Sequence, residues 1–246
     1  MKNRLDKILV DRGIASSRER AQALIMEGKV FVNNMPAAKA GTMVAEDARI
    51  ELKGQDIPYV SRGGLKLEAA VNHFDISFDG KTAMDIGAST GGFTDCMLQN
   101  GALKVYCIDV GYGQLAWKLR QDPRVVLIER TNFRYLERDK IPDEIDIATI
   151  DVSFISLDKI VPKALEFLKG GSEIIALIKP QFEVGKGEVD KGGIVKDETK
   201  RLKTVESVRD CLESLGLETV GVIQSPILGQ KGNVEYLIYM RLPFDI

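Results

Sequence analysis

The sequence predicts two domains, a small α+β domain over residues 1–58 and a larger α/β domain over residues 59–246. Three observations support this fold class. Beyond residue 58, short apolar strands alternate with helical stretches, which is the pattern of a parallel sheet covered on both faces. The last two predicted strands have no long helical segment between them, so an antiparallel pair is expected there. A short polar joint at residues 54–58 separates the two domains.

Composition is that of an ordinary globular protein. Of the 246 residues, 44% are hydrophobic and 28% are charged, which favours a folded chain over a disordered one. The longest apolar runs, such as residues 174–178, are far shorter than the ~20 residues of a membrane span. Residues 1–6 are basic but precede no apolar run, so we expect no secretory signal and a cytoplasmic protein. The cysteines show no CxxC spacing and no neighbouring histidine, and we expect no metal site.

The net charge differs only slightly between the first 60 residues and the rest of the chain. The net charge is −2. Residues 1–60 contain ten basic and eight acidic residues, and the remainder contains 24 basic and 28 acidic residues. This asymmetry is too small to indicate a nucleic-acid partner by itself.

The first domain is predicted to contain two helices followed by short strands. Apolar residues at helical spacing indicate a first helix near the amino terminus. Ser16 followed by Glu19 has the spacing of a capping box, so a second helix is expected to begin there and to end at Gly28. Alternating residues predict strands near residues 30–32 and 49–52, with a turn at the two asparagines that follow the first of these strands.

This order of elements is similar to a known RNA-binding domain. The segment RLDKILVDRGIASSRERAQALIMEGKVFVNN resembles the domain shared by ribosomal protein S-four, pseudouridine synthases and tyrosyl-tRNA synthetases. The resemblance implies that four basic side chains face an RNA backbone: Arg4, Arg18, Arg20 and Lys29. Phosphate contacts supply affinity and positioning without reading sequence. The alternative is that these charges are merely the solvated faces of two short helices.

The second domain is expected to contain seven strands. In chain order they lie near residues 82–86, 104–109, 125–129, 145–151, 173–178, 218–224 and 234–241. Further on, residues 185–193 form a glycine-rich and charged loop. Such a loop either folds over substrate or cofactor, or is an idle surface loop, and the sequence does not separate the two.

A glycine-rich turn follows the first strand of this domain and leads into a helix. Glycines in such a turn let backbone N–H groups approach a ligand closely. Gly87, Gly91 and Gly92 do not match the dinucleotide GxGxxG fingerprint. They match a D-x-G-x-x-x-G-G form that resembles the loop which methyltransferases place under the methionine part of S-adenosylmethionine. Ordinary turn chemistry is the alternative. The candidate cofactor contacts are Asp85, Gly87, Ala88, Ser89, Gly91, Gly92 and Phe93.

Three further positions are candidates for the same cofactor. The second strand ends at Asp109, 24 residues after Asp85. A carboxylate there can accept hydrogen bonds from both ribose hydroxyls of an adenosine, although a solvated residue at a strand end is the simpler explanation. Asn132 follows the third strand, where related enzymes contact adenine. Asp151, at the end of the fourth strand, is the third candidate.

Four charged residues occupy positions that a parallel sheet brings towards one edge. Lys66 lies in SRGGLKL at the start of the second domain, and Asp151 ends the fourth strand. Lys179 ends the fifth strand, and Glu235 enters the last one. Ligands bind at the carboxyl ends of the strands in such sheets. Any one of these residues alone would be unremarkable.

Together these four residues resemble the Lys-Asp-Lys-Glu tetrad of the FtsJ family of ribose 2′-O-methyltransferases. With the blocks SRGGLKL, DIGASTGGFTD, DVSFISL and LIKPQFE in this order, and with the amino-terminal domain, the chain is identified as a member of the TlyA family. The resemblance implies a Rossmann-like class I methyltransferase sheet and S-adenosylmethionine as cofactor. It also implies ribose 2′-O-methylation, of cytidine, with large-subunit rRNA or the ribosomal subunit as partner; small-subunit rRNA stays open.

The chemistry gives each tetrad residue an expected role. A ribose 2′-hydroxyl is a poor nucleophile and must lose its proton as it attacks a sulfonium methyl group. A lysine acts as base only where desolvation or a neighbouring cation favours its neutral form. We expect Lys179 to be the general base and Asp151 to orient it. Lys66, which can supply the neighbouring cation, and Glu235 are expected to position the ribose.

Two other functions are alternatives at this point. One is a non-catalytic RNA-binding protein that keeps a decayed methyltransferase fold, against which the complete tetrad argues. The other is a membrane-lytic hemolysin, a label that TlyA relatives often carry. The sequence contains no apolar span and no long basic amphipathic helix that would support membrane lysis. The oligomeric state is not predicted.

Overall fold

The chain forms two compact units, residues 1–57 and residues 58–246. The computed structural model describes residues 2–15, 17–26, 28–37, 39–53, 57–185, 188–190 and 192–244, with the side chains of residues 19 and 230 excepted. Most of the polar joint predicted at residues 54–58 therefore lies outside the described residues, as do residues 186, 187 and 191 of the glycine-rich loop.

The amino-terminal unit combines two helices with two small antiparallel sheets. Its helices are α1 (Leu5–Asp11) and α2 (Arg18–Met26). Its strands are β1 (Lys2–Arg4), β2 (Val30–Val32), β3 (Met35–Pro36), β4 (Met43–Ala45) and β5 (Ile50–Leu52). β1 pairs with β4, and β2 lies between β3 and β5. The predicted helices and the strands β2 and β5 are confirmed. Strands β1, β3 and β4 were not predicted because their residues show no alternation of apolar and polar side chains.

Local chemistry explains two features of this unit. Asn33 and Asn34 adopt φ angles of 49° and 66° in the predicted turn between β2 and β3, a conformation that asparagine tolerates better than most residues. Ser17 Oγ accepts a hydrogen bond of 3.2 Å from the backbone N–H of Arg20 near the start of α2. The predicted cap, Ser16, lies outside the described residues.

The second unit is built on one seven-stranded sheet. Its strands are β6 (Thr82–Ile86), β7 (Lys104–Ile108), β8 (Val125–Ile128), β9 (Ile145–Ile150), β10 (Leu168–Ile178), β11 (Glu218–Gln224) and β12 (Tyr236–Arg241). Its α-helices are α3 (Gly63–Phe74), α4 (Gly92–Gln99), α5 (Trp117–Arg120), α6 (Val161–Leu165), α7 (Pro180–Glu183) and α8 (Glu198–Glu213). Short 3₁₀ helices are Phe133–Tyr135, Arg138–Lys140, Leu157–Lys159 and Gln230–Gly232.

The strand order is β11-β12-β10-β9-β6-β7-β8. β12 is antiparallel to both of its neighbours, and the pairs from β10 to β8 are parallel. All seven predicted strands are confirmed, and the last two pair as antiparallel neighbours. The carboxyl ends of β6, β7, β9 and β10 therefore meet at one edge, and the antiparallel β12 begins at that same edge.

Apolar residues cover both faces of the sheet. One cluster packs Met84, Ile150 and Ile178 on one face, and another packs Ala83, Ile147 and Leu177 on the other. Because central parallel strands are buried on both sides, they are almost continuously apolar rather than alternating. The rigid layer that results holds the loops at its carboxyl edge.

Candidate active site

Strand register brings the four predicted tetrad residues to one place. Ile178 of β10 lies opposite Tyr236 of β12, so Lys179 and Glu235, each one residue beyond this pair, emerge side by side. Ile86 of β6 lies opposite Ile150 of β9, and residues 87 and 151 therefore meet at the same edge.

The tetrad forms two ion pairs. Lys66 Nζ, on α3, lies 2.6 Å from Glu235 Oε2, and Lys179 Nζ lies 2.6 Å from Asp151 Oδ1. Lys66, Lys179 and Glu235 are buried, at 9%, 8% and 2% exposure, whereas Asp151 is half-buried. Buried charges are tolerated only when they are paired, so each lysine requires its carboxylate. The result is an almost neutral cluster of two cations and two anions at the sheet edge.

Neighbouring side chains extend this cluster. Ser153 Oγ accepts a hydrogen bond of 3.0 Å from Lys179 Nζ. The Gln181 amide donates to Glu235 Oε1 over 3.4 Å. A Cβ atom at Gly229 would overlap the Glu235 carboxylate, so a larger residue at that position would displace the carboxylate. No sequence pattern indicated a role for Gly229, because it lies in the irregular segment between β11 and β12.

The glycine loop lies against the same cluster. Gly87 has φ +87°, and a Cβ atom there would approach the carbonyl oxygen of Asp151 to 2.5 Å. Gly91 has φ +93° and precedes α4, and a Cβ atom there would overlap the apolar side chains of Leu115 and Leu119. Glycine is therefore required at both positions, for backbone conformation and for space.

A cavity of about 340 Å³ opens between the glycine loop and the tetrad. Seven residues that line it were predicted as site residues from the sequence: Lys66, Gly87, Ala88, Ser89, Gly92, Phe93 and Asp151. Sequence reasoning did not assign the others, which are Ser61, Arg62, Gly63, Thr90, Ile227, Leu228 and Gly229. Backbone amides and small side chains form most of the wall, and the charged side chains of Lys66 and Asp151 form one edge of it. Such a wall suits a compact polar ligand.

Asp109 supports one wall of this cavity through Ser89. Its Oδ2 atom accepts a hydrogen bond of 2.8 Å from the backbone N–H of Ser89, and its Oδ1 atom accepts one of 2.6 Å from that of Gly111. Each carboxylate oxygen retains a further lone pair for a hydroxyl donor. Asp109 thus holds the glycine loop to the loop after β7 and keeps the capacity to bind ribose hydroxyls.

Comparison with known proteins identifies the family. The model of the FtsJ-like methyltransferase family matches residues 59–242, and that of the S4 domain matches residues 3–50. This chain belongs to the FtsJ-like methyltransferase family. It is a methyltransferase whose methyl donor is S-adenosylmethionine, and the wall of Gly87, Ser89 and Gly92, with Asp109 behind it, fits that cofactor.

Relatives match along almost the whole chain. YqxC of Bacillus subtilis, provisionally named an rRNA methyltransferase, is 48% identical over 98% of this chain and 86% of its own length. TlyA of Mycobacterium tuberculosis, named 16S/23S rRNA (cytidine-2′-O)-methyltransferase, is 44% identical over 98% of this chain and 91% of its own. A solved structure from Streptococcus thermophilus, provisionally named a hemolysin, has a TM-score of 0.78 at 43% identity, and the match covers 98% of this chain and 89% of that one.

Four predicted cofactor contacts of this FtsJ-like methyltransferase, Asp85, Gly91, Asp109 and Asn132, are not among the residues that line the cavity. Asp85 is fully buried, and its carboxylate accepts hydrogen bonds from the hydroxyls of Thr94 at 2.6 Å and Thr149 at 3.1 Å. Burial raises the pKa of Asp85 to about 6. Asn132 is exposed, and its side chain accepts a hydrogen bond from the backbone N–H of Arg134 at the start of a 3₁₀ helix. Asp85 therefore supports the loop from behind, and Asn132 caps a helix.

An exposed aromatic residue stands beside the tetrad of the methyltransferase unit. Phe154 is 83% exposed and has φ +64°, an uncommon conformation for an aromatic residue. Its ring centroid lies 4.9 Å from that of Phe182 on α7. The DVSFISL block contains this residue, but its composition did not indicate that the ring faces solvent.

The predicted RNA contacts of the S4 domain include two fixed arginines. Arg4 Nη2 and Arg18 Nη2 lie 2.8 and 3.0 Å from the same oxygen of Asp6, which is fully buried. The two guanidinium groups hold the pKa of Asp6 well below its usual range, and both remain about half exposed. Arg20 and Lys29 are partly buried, and each makes a further interaction.

The larger cavity of the methyltransferase unit lies elsewhere. It measures about 650 Å³ and is bounded by Ser156, Glu183 and the side of α8, without any tetrad or glycine-loop residue.

Within the described residues, no helix has both the length and the apolar character needed to cross a membrane. In the same part of the chain, no three histidine, cysteine or acidic side chains are grouped so that they would hold a metal ion.

Proposed function

We propose that this protein methylates the 2′-hydroxyl of a ribose in ribosomal RNA. The observation that carries the proposal is the pair of lysine–carboxylate contacts, Lys66–Glu235 and Lys179–Asp151, at the mouth of the glycine-lined cavity. Among methyl acceptors, a ribose hydroxyl needs such a cluster because its proton must be removed during attack. The names of the relatives point to a cytidine, and to large-subunit rRNA. Because the proposed substrate is rRNA, we infer that the enzyme is cytoplasmic.

The cofactor contributes an electrophilic methyl group on a sulfonium sulfur. The backbone of Gly87, Ser89 and Gly92 would hold its methionine part, and Asp109 would bind its ribose hydroxyls. Asp151 lines the same cavity and would lie beside the bound cofactor. In-line alignment of the attacking oxygen with the methyl carbon and sulfur supplies a large share of the rate enhancement.

Lys179 is proposed as the general base. Its ammonium group contacts Asp151 and Ser153, and it must transfer a proton to one of its neighbours or to solvent before it accepts one from the hydroxyl. Lys66 is held by Glu235, and these two residues are proposed to position the ribose. Phe154 offers a ring face on which the target base stacks.

The S4 domain anchors the substrate in this proposal. Arg4 and Arg18 contact RNA phosphates, and Asp6 fixes both side chains in advance, so that less conformational entropy is lost on binding. Arg20 and Lys29 contribute further positive charge on the same unit. These contacts position the RNA without reading its sequence.

The test is mass-spectrometric mapping of rRNA from cells that lack the gene. We expect one or more 2′-O-methylcytidines to disappear, and to return with the wild-type protein but not with Lys179→Ala. Unchanged rRNA modification in the deleted strain would refute the proposed substrate. Leakage of liposomes by the purified protein, at concentrations that bind no RNA, would favour the hemolysin alternative instead.

A further inference from the structure

A second group of exposed aromatic and basic side chains lies on the methyltransferase unit, away from the tetrad. Tyr112 and Tyr135 are 67% and 74% exposed. The guanidinium of Arg130 lies 4.0 Å from the ring centroid of Tyr112, and that of Arg134 lies 5.3 Å from the ring centroid of Tyr135. We call these four residues the tyrosine–arginine ledge. None of them was assigned a function by the sequence analysis.

The ledge is attached to the same sheet edge as Asp109. Tyr112 follows β7, and the other three residues follow its neighbour β8. The backbone N–H of Arg130 donates to the carbonyl of Gly111 over 3.0 Å, which ties the two loops together. Arg130 has φ +54°, a conformation that costs free energy for a residue with a side chain and that persists only where the surroundings impose it. The arginine is thus held over the tyrosine ring in a fixed geometry.

Charge distinguishes this region from the rest of the unit. Residues 110–140 contain seven basic and four acidic residues, whereas the rest of residues 61–246 contains 17 basic and 24 acidic residues. Within the described part of the chain, no carboxylate lies within ion-pair distance of Arg130 or Arg134. An exposed cationic patch on an otherwise acidic unit favours a polyanionic partner.

We propose that the tyrosine–arginine ledge is a second RNA-docking surface, on which an unpaired stretch of the substrate stacks its bases while the arginines contact its phosphates. Proteins bind single-stranded RNA through aromatic rings, on which the bases stack, and through neighbouring arginines, which contact the backbone. S-adenosylmethionine is a poorer occupant, because it carries a net positive charge that two arginines would repel. The inference rests on the proposed function, since it assumes an RNA substrate.

The test uses the full-length protein and rRNA purified from cells that lack the gene. The double variant Arg130→Gln/Arg134→Gln removes both charges, and glutamine has the same backbone restrictions as arginine. Lys203→Gln/Arg209→Gln on α8 is the matched control for loss of two positive charges. Tyr135→Ala removes a ring, and Tyr135→Phe retains it. Measurements are RNA affinity at several salt concentrations, KM and kcat for methyl transfer, and S-adenosylmethionine affinity by calorimetry.

We expect the double variant and Tyr135→Ala to raise the KM for RNA by about fivefold or more, the factor that corresponds to one lost stacking contact. Their kcat at saturating RNA and their affinity for S-adenosylmethionine should stay unchanged, because binding alone is affected. In a plot of the logarithm of RNA affinity against the logarithm of salt concentration, the slope should decrease in magnitude by about 0.7 for each lost phosphate contact. This change is expected in the double variant only. Tyr135→Phe and the α8 control should behave like wild type.

Three results would overturn the inference. The first is a wild-type KM in the ledge variants, and the second is an equal loss in the α8 control, which would show a general charge effect. The third is weakened S-adenosylmethionine binding, which would assign the ledge to the cofactor. Failure of the proposed function looks different, because the wild-type protein itself would then transfer no methyl group to rRNA.

Discussion

The buried carboxyl group of Asp85 makes the stability of the methyltransferase unit depend on pH. Asp85 is fully buried behind the glycine loop, with the hydroxyls of Thr94 and Thr149 as its hydrogen-bond donors. Desolvation disfavours the charged form more strongly than these two donors favour it, and the nearby Asp151 adds repulsion. The pKa of Asp85 is therefore raised to about 6.

The direction and size of the effect follow from this pKa. In the folded protein the proton is held more tightly than in the unfolded chain, whose pKa is near the ordinary 3.8. The stabilising contribution of protonated Asp85 is therefore complete below about pH 4 and is lost as the pH rises to about 6. At about 1.4 kcal/mol for each pH unit between the two values, the loss amounts to about 3 kcal/mol.

The variant Asp85→Asn isolates this term because an amide does not ionise. Urea unfolding followed by circular dichroism gives the free energy of unfolding of variant and wild type between pH 4 and pH 8. The variant should gain about 3 kcal/mol relative to wild type between pH 4 and pH 7, whatever constant offset the amide introduces. Asp139→Asn, at an exposed site, controls for the loss of a carboxyl group. A difference that does not change with pH would refute the burial argument.

Three further predictions concern the site itself. Asp109→Ala should weaken S-adenosylmethionine binding by ~1.5–3 kcal/mol in calorimetry without unfolding the domain, as expected for lost hydrogen bonds to a charged acceptor; unchanged affinity would remove this assignment. Lys179→Arg should abolish methyl transfer with near-normal cofactor affinity, because arginine stays protonated; wild-type turnover would exclude a base at this position. Gly229→Ala should lower turnover and cost ~1–3 kcal/mol in thermal unfolding, because the added methyl group overlaps Glu235; a fully active, equally stable variant would contradict the packing described.

Much of the fold was predictable because buried parallel strands have a strong signature. The continuous apolar run at residues 174–178 is followed by Lys179, and the strand before it is followed by Asp151; the topology of a parallel sheet then implied that these two residues share an edge. Glycine positions were equally informative, since Gly87 and Gly91 both require positive φ angles. The contact between Asp151 and Lys179 was expected from the family resemblance, whereas the pairing of Lys66 with Glu235 depends on register, which no local pattern reveals.

Other features depend on contacts that sequence spacing does not encode. Asp85 points into the protein because Thr149 on the neighbouring strand offers a hydroxyl donor, so a polar strand end that resembled a ligand contact is a buried support. The same holds for Asp6, whose role in fixing Arg4 and Arg18 requires two elements to fold together. Exposed residues on irregular loops, Tyr112 among them, carry no periodicity that would indicate where their side chains lie.

The most direct test of the central claim is to identify the atom that receives the methyl group. Purified protein, methyl-labelled S-adenosylmethionine and rRNA from cells that lack the gene are incubated, and the RNA is digested to nucleosides for mass spectrometry. If the Lys66–Glu235 and Lys179–Asp151 pairs act on a ribose hydroxyl, the label appears in 2′-O-methylcytidine, and Lys179→Ala abolishes it. Label in a base-methylated nucleoside, or full labelling by the lysine variant, would contradict the account.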